Sequence, residues 1–270
     1  MKTPVPYFGS KQRIAPWIVS LLPAHEHYVE PYCGGLSVLL AKTPAPMETV
    51  NDLDGDLMTF WRVLRDRPAE LIRACALTPH SRTELAAAHE PAVDELELAR
   101  RIWSRLAQGR AGTLRQTGWR HYIAPAGSSI GMSGYMDAYV DRLAAAAERL
   151  HHVSLEALPA LDIVGKYGAA KDVLLYVDPP YLGTTRPWSN YRVEMKGEAD
   201  HRDLAAALAD CRATVVLSGY DSPLYADLYT GWHRYEQQTM TGNAKTAKDR
   251  TEVVWANRPL VGQDGLWPAA

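Results

Sequence analysis

The sequence predicts an α/β fold, one sheet domain carrying a basic and mostly helical insertion, and three observations predict it. Short apolar strands followed by a turn and a helix occur twice near the N-terminus, over residues 27–42 and 48–64. Residues 68 to 108 then show apolar spacing of three and four with no strand among them. Strand-like runs return at 153–156, 173–177, 214–218, 233–239 and 252–256.

The elements follow in order. Ile14, Trp17, Ile18, Leu21 and Leu22 form the stripe of an amphipathic helix, with Pro16 in its first turn. This stripe, rather than a signal peptide, accounts for the early apolar segment, and no run approaches the ~20 apolar residues that span a bilayer. The strand His27-Tyr28-Val29-Glu30 ends in Pro31-Tyr32-Cys33-Gly34-Gly35, and a helix is expected from Leu36 to Lys42. Strand, glycine turn and helix begin a nucleotide-binding unit. A second strand, Glu48–Asn51, ends at Asp52, and a helix runs from Leu57 to Leu64. Pro68, Pro79 and Pro91 punctuate the helical stretch. From Gly109 to Gly134 periodicity predicts no regular element, and a helix over Met136–Leu150 closes the insertion. After the strand Val173–Val177, helices are expected at His201–Leu208 and near Pro223–Tyr229.

Composition narrows the function classes. With 270 residues, 47% of them apolar, the chain can bury its own core, which excludes disorder and a disulfide miniprotein. Lys and Arg total 29 against 31 Asp and Glu, so a nucleic-acid surface must be a local patch. One exists: no acid lies between Arg100 and Met136, an interval holding Arg101, Arg105, Arg110, Arg115 and Arg120. Cys33, Cys75 and Cys211 are odd in number and far apart, which fits free thiols in a reducing compartment and no zinc site. A cytoplasmic protein is expected.

Asp178-Pro179-Pro180-Tyr181 follows the apolar strand 173–177, at the strand's carboxyl end where α/β sheets bind ligands. Two prolines remove two amide donors, leaving carbonyls and the Asp178 carboxylate as acceptors. Such a corner suits a ligand with hydrogens to give, and an exocyclic amine of a nucleobase is one. Asp178 and the Pro179 carbonyl would hold its N–H bonds and Tyr181 would stack on the base, which must leave the duplex to be reached. A tight structural turn is the alternative.

The Gly34-Gly35 turn, with Asp52 about twenty residues after the strand, suggests a nucleoside cofactor whose ribose Asp52 binds. There is no G-x-G-x-x-G, so pyrophosphate is poorly supported. A positively charged nucleoside such as S-adenosylmethionine fits better, with Glu30 balancing its charge. At the N-terminus, Pro6-Tyr7-Phe8-Gly9-Ser10-Lys11 places a lysine beside a glycine turn, where it could bind a carboxylate.

Taken in order, Tyr7-Phe8-Gly9-Ser10-Lys11, Val29-Glu30-Pro31-Tyr32-Cys33-Gly34-Gly35, Asn51-Asp52 and Asp178-Pro179-Pro180-Tyr181 make the chain resemble the Dam-type DNA adenine-N6 methyltransferases. Tyr191-Arg192-Val193-Glu194-Met195, Asp200-His201, Leu217-Ser218-Gly219-Tyr220 and Arg250-Thr251-Glu252-Val253-Val254-Trp255 extend the likeness toward the phage-encoded branch. The resemblance implies a Rossmann-like S-adenosylmethionine-dependent methyltransferase sheet with an inserted, mostly helical target-recognition domain. It implies catalytic parts at residues 1–58 and 151–270 around a recognition insertion at 59–150. It places Tyr7, Lys11, Glu30, Tyr32, Gly34, Gly35, Ser37, Asp52 and Asp178 around the cofactor, with S-adenosylhomocysteine as product and no metal. Asp178, Pro179, Pro180 and Tyr181 would form the catalytic corner, acting by direct transfer to N6 of a flipped adenine in double-stranded DNA. Arg101, Arg105, Arg110, Arg115, Trp119 and Arg120 are the DNA-contact candidates, Trp119 nearest the flipped base. A monomer is expected, in a bacterial or phage-infected cell, with or without a restriction partner. Ser10 replaces a more usual glycine, and no Asp-Phe pair follows residue 156 to hold the cofactor adenine. The rivals are an RNA guanine-N2 or protein-glutamine methyltransferase with the same Pro-Pro-Tyr chemistry, and a non-catalytic DNA-binding relic.

Overall fold

A computed structural model describes residues 1–122, 131–181, 195, 197–241 and 248–260, with the side chains of 239–241 and 248–250 excepted. Tyr191 to Glu194 and the Arg250 side chain lie outside the described residues. The seven strands are β1 (His27–Glu30), β2 (Met47–Asn51), β3 (Ser154–Glu156), β4 (Val173–Val177), β5 (Thr214–Tyr220), β6 (His233–Thr241) and β7 (Lys248–Ala256). They form one sheet in the order β3-β2-β1-β4-β5-β7-β6. The first five are mutually parallel, and β7 runs antiparallel to both β5 and β6. The chain therefore winds outward from β1 to β3, returns, and starts again at β4. That reversal, a Rossmann-like arrangement ending in a hairpin, leaves a crevice between the carboxyl ends of β1 and β4.

Alternation along the strands sorts the core into two layers. Tyr28, Leu174 and Tyr176 pack on one face with Leu57, Phe60, Trp61 and the helices α1 (Ala15–Leu21), α2 (Ser37–Ala41) and α3 (Gly55–Asp66). Val29, Val173, Leu175 and Val177 face the other way, onto α9 (Ala160–Gly168), α10 (Glu198–Ala209) and α11 (Pro223–Leu228). Asp54 caps α3 by accepting from Leu57 N–H, and Ser222 caps α11 through Tyr225 N–H. Helix α9 was absent from the expected elements. Its buried Ile163, Val164 and Gly168 carry helical spacing, but the run is short and contains Gly165.

The helical stretch consists of α4 (Pro68–Ala76), α5 (Arg82–Ala87), α6 (Glu95–Gln108), α7 (Gly131–Val140) and α8 (Leu143–Leu150). Residue 58 falls inside α3, whose Phe60 and Trp61 share one core with Ile102, Trp103 and Leu106 of α6. The single helix expected over 136–150 is two. Arg142 sits at the break, donating to the Thr3 carbonyl and lying over the Tyr139 ring, which ties the helical layer to the N-terminus. Residues 109–122 hold no α-helix or strand, as expected; Gly109 and Trp119 form an isolated antiparallel bridge there, flanked by Arg110 N–H to Gly118 O and Arg120 N–H to Gln108 O, and residues 123–130 lie outside the described ones.

Asn51 fixes the end of β2. Its amide donates to the Pro31 and Leu158 carbonyls and accepts from Leu158 N–H, joining the loops after β1 and β3. Asn51→Ala leaves these buried groups unpartnered and is expected to destabilise the chain by about 2–4 kcal/mol in urea unfolding; an unchanged midpoint would show that the loops hold without it.

Candidate active site

The crevice opens into a cavity of about 260 Å³, close to the ~300 Å³ at which small-molecule sites begin. Tyr7, Lys11, Glu30, Tyr32, Gly34, Gly35, Ser37, Asp52 and Asp178 all line it, together with Pro180. Pro179 and Tyr181 lie beside it, outside the lining. Several lining residues were not among the sequence candidates: Leu53, Asp54, Pro159, Ala160, Leu161, Tyr176, Asp200 and Asp203. Leu53, Leu158 and Leu161 are exposed apolar side chains. The carbonyl and N–H of Leu158 are taken by Asn51, so the wall after β3 presents apolar surface where an Asp-Phe pair was sought.

The Gly34-Gly35 turn has a reason different from the one its sequence suggests. Gly34 has φ +44°, and a Cβ on it would lie 2.8 Å from the Tyr7 ring. A Cβ on Gly35 would lie 2.8 Å from the Tyr7 Cβ. These glycines are required by the docked N-terminal segment. Ser10, the departure noted above, joins its hydroxyl to that of Ser37 at 2.6 Å, and Phe8 N–H bonds Gly112 O. The segment thus spans the glycine turn and the helical layer.

Lys11 is buried at 7% exposure. Its ammonium stands 2.8 Å from Asp178 Oδ1, 3.2 Å from the Gly9 carbonyl and 3.6 Å from Glu252 Oε1. Its donors are directed at the protein, so its position in this structure is that of a partner for Asp178 rather than an outstretched carboxylate anchor. Burial pushes the Asp178 carboxyl up to about 6, opposed by Lys11 and reinforced by the negative charge of Glu252. Asp52 accepts from Gly34 N–H at Oδ2 and from Asp54 N–H at Oδ1, and burial raises it to about 6. Glu30, 3% exposed, accepts from the Tyr28 hydroxyl, and burial raises it to about 8. At neutral pH it therefore holds its proton. The Tyr176 hydroxyl is wholly buried in the cavity wall beside the Ser218 hydroxyl, and burial pushes its pKa well up.

Among the described residues the lining carries Glu30, Asp52, Asp54, Asp178, Asp200 and Asp203 against one cation, Lys11. Such a wall repels phosphate and favours a compact cationic ligand. A nucleoside bearing a sulfonium and an ammonium fits this donor set, with acceptors left on Asp52 for ribose hydroxyls. Among the described residues no group of His, Cys, Asp and Glu is placed to hold a metal, and no helix is long and apolar enough to cross a membrane.

The DNA-contact candidates divide. Arg105 is buried, and its guanidinium donates to the Ala88 carbonyl. Arg101 bonds Glu97 and the carbonyls of Glu90 and Pro91. Arg105 is thus turned into the protein, and Arg101 is half-buried and engaged by protein acceptors along α6. Arg110 and Arg115 are exposed on the bridged segment. Trp119 is stacked between His80, at 4.3 Å, and His121, at 5.1 Å, with Arg82 over its ring. Arg120 lies over Tyr135 and bonds the Gly109 carbonyl. His201 is fully buried and hydrogen-bonded through Nδ1 to Tyr225.

A Rossmann-like sheet with an acid-lined cavity at its switch point and an acceptor-rich Asp-Pro-Pro-Tyr corner fits the class of nucleoside-dependent methyltransferases. The comparisons identify which one. The family model of the D12 class N6 adenine-specific DNA methyltransferases matches residues 7–99 and 141–243, and the chain belongs to that family. It is 25% identical to the Type II methyltransferase M1.LlaDCHI of Lactococcus lactis subsp. cremoris, over 92% of this chain and 93% of that protein. Among solved structures, precorrin 8w decarboxylase of Methanobacterium thermoautotrophicum aligns at TM-score 0.37 and 10% identity, over 95% of this chain and 94% of that one. SMU.1697c of Streptococcus mutans, solved with SAH, aligns at TM-score 0.37 and 8% identity, over 90% and 96%. The chain is an S-adenosylmethionine-dependent enzyme that methylates N6 of adenine in DNA.

Burial favours the neutral form of Glu30 in the cavity wall, so a cationic ligand seated there at pH 7 is expected to release protons. Buffer-dependent titration heats would show this release, and Glu30→Gln would reduce it. The same group sets a stability slope: its folded pKa exceeds the unfolded one, so ligand-free stability falls as pH rises from about 4.5 to about 8. Glu30→Gln is expected to flatten that fall in thermal melts.

Proposed function

We propose that Asp178 and the Pro179 carbonyl hold the N6 amine of a flipped-out adenine of double-stranded DNA while Tyr181 stacks on the base. The observation that carries this reading is that Asp178 opens into the same cavity as Asp52 and the Gly34-Gly35 turn, so one carboxylate faces both donor and acceptor. Bound S-adenosylmethionine supplies an electrophilic methyl group on a sulfonium. Asp52 takes its ribose hydroxyls, Glu30 and the acidic rim of Asp200 and Asp203 face its positive charge, and Tyr7, Tyr32, Ser37 and the glycines shape the wall. Leu53, Pro159 and Leu161 enclose its base. Lys11 keeps Asp178 ionised and aimed. The amine must pyramidalise to become nucleophilic, and acceptors on both N–H bonds favour that geometry. Direct transfer needs no covalent intermediate, and the buried Cys33, whose thiol burial pushes up, is not a nucleophile.

Residues 59–150 act as the recognition region, and the interval between the two matched segments, 100–140, falls inside it. Exposed Arg110 and Arg115 contact phosphates, and the edge of the Trp119 stack faces the target base; the buried indole N–H of Trp119 has no partner among the described residues. The three free thiols suit a reducing cytoplasm, where the enzyme acts as a monomer.

Incubation with labelled S-adenosylmethionine and DNA, RNA or protein, with N6-methyladenine read by mass spectrometry, tests the reading. Label in DNA adenine is expected, lost in Asp178→Ala with DNA binding retained; label confined to RNA or protein, or none at all, rejects it. The kcat/KM profile is expected to fall on its acid side near pH 6, as Asp178 gains a proton and ceases to accept from the amine. Arg110→Ala and Arg115→Ala should each lower the slope of log K against log salt by about one. Arg105→Ala should lower the melting temperature and leave that slope unchanged.

A further inference from the structure

We propose that Glu252 is a positioning residue for methyl transfer, fixing Tyr181 and Lys11 through one buried carboxylate oxygen. The inference rests on the reading of Asp178 and Tyr181 given above. Glu252 lies on the antiparallel β7, opposite Tyr220 of β5 and Gln237 of β6, and is 4% exposed. A carboxylate at that depth is costly unless it is partnered. Its Oε1 accepts from the Tyr181 hydroxyl at 2.6 Å and from the Ser218 hydroxyl at 3.0 Å, and lies 3.6 Å from Lys11 Nζ.

Three restraints consequently meet on Tyr181. Its hydroxyl is held by Glu252, its ring lies 4.6 Å below the Lys11 ammonium, and it packs against Tyr220 at 4.5 Å between centroids. A phenol tied at its far end and braced on its ring presents one fixed plane for stacking. Lys11, drawn by Glu252 as well as by Asp178, stays between the two carboxylates and over that ring. Glu252 does not line the cavity. It therefore acts through Tyr181 and Lys11, and its loss should affect the chemical step more than cofactor binding.

The test uses the full-length enzyme. Glu252→Gln keeps the volume and an acceptor oxygen but removes the charge. Tyr181→Phe keeps the ring and removes the hydroxyl that reaches Glu252 and also supports Asp178, so Glu252→Gln is the variant that isolates the carboxylate. Each is expected to lower kcat on the order of ten- to a hundredfold, the scale of a small misplacement at a reacting centre. Cofactor affinity by calorimetry should stay within about twofold, and the double variant should lose little beyond either single one. In Glu252→Gln the acid limb of kcat/KM should also move to lower pH, because the second carboxylate facing Lys11 and Asp178 is gone. Asp178 is faced as well by Lys11, Tyr181, Tyr176 and Glu30, all unchanged in that variant. General loosening of the fold would not move the limb. Wild-type kcat in either single variant, or an acid limb that stays put, overturns the proposal. Asp178→Ala and Tyr181→Ala serve as controls: if they retain methylation, the reading of the site itself fails, whereas their loss beside an inert Glu252→Gln rejects this inference alone.

Discussion

The ion pair between Lys11 and Asp178 is the interaction on which the site depends. It joins the eleventh residue of the chain to the end of the fourth strand, at 2.8 Å and with little access to water. Removing either partner would leave a charge stranded in a poorly solvated place, which is why such pairs fix geometry more than they add stability. The N-terminal segment reaches this position by resting Tyr7 on Gly34 and Gly35 and by hydrogen-bonding Phe8 to Gly112. The wall of the cavity, the catalytic corner and the helical layer are consequently held by one short stretch of chain.

Around that pair the cavity gathers negative charge faster than it gathers compensation. Among the described residues six acidic side chains and one lysine line it, and burial favours the uncharged form of Glu30. A ligand bringing positive charge would relieve this repulsion, which fits the sulfonium cofactor of the family to which the chain belongs.

The helical layer shows how charge read along a chain differs from charge presented to a partner. Arg100, Arg101 and Arg105 belong to a run without acids on its C-terminal side, yet Glu84, Glu97 and backbone carbonyls absorb them. Arg110 and Arg115, placed on a short bridged segment, stay exposed. Local sequence separates these cases only in part: Glu97 lies one turn away on the same helix, but Glu84 comes from α5 and the carbonyls of Ala88, Glu90 and Pro91 from the chain that follows it.

The sequence by itself determined the strands and their turns, since period-two burial and glycine or proline punctuation are local properties. His27–Glu30 and Val173–Val177 form where their patterns place them. It also picked out part of the cavity wall, because α/β chains carry their ligands at strand ends, and Tyr32, Asp52 and Asp178 follow directly after the apolar runs. Tertiary structure alone decided what those residues do to one another. Lys11 binds Asp178, the glycines accommodate Tyr7, and Glu252 reaches across from β7 to Tyr181. The short helix at Ala160–Gly168, the break at Arg142 and the loss of Arg105 to the interior belong to the same category. Each depends on contacts between residues distant in the chain, and a periodicity measured along one segment holds no record of what packs against it.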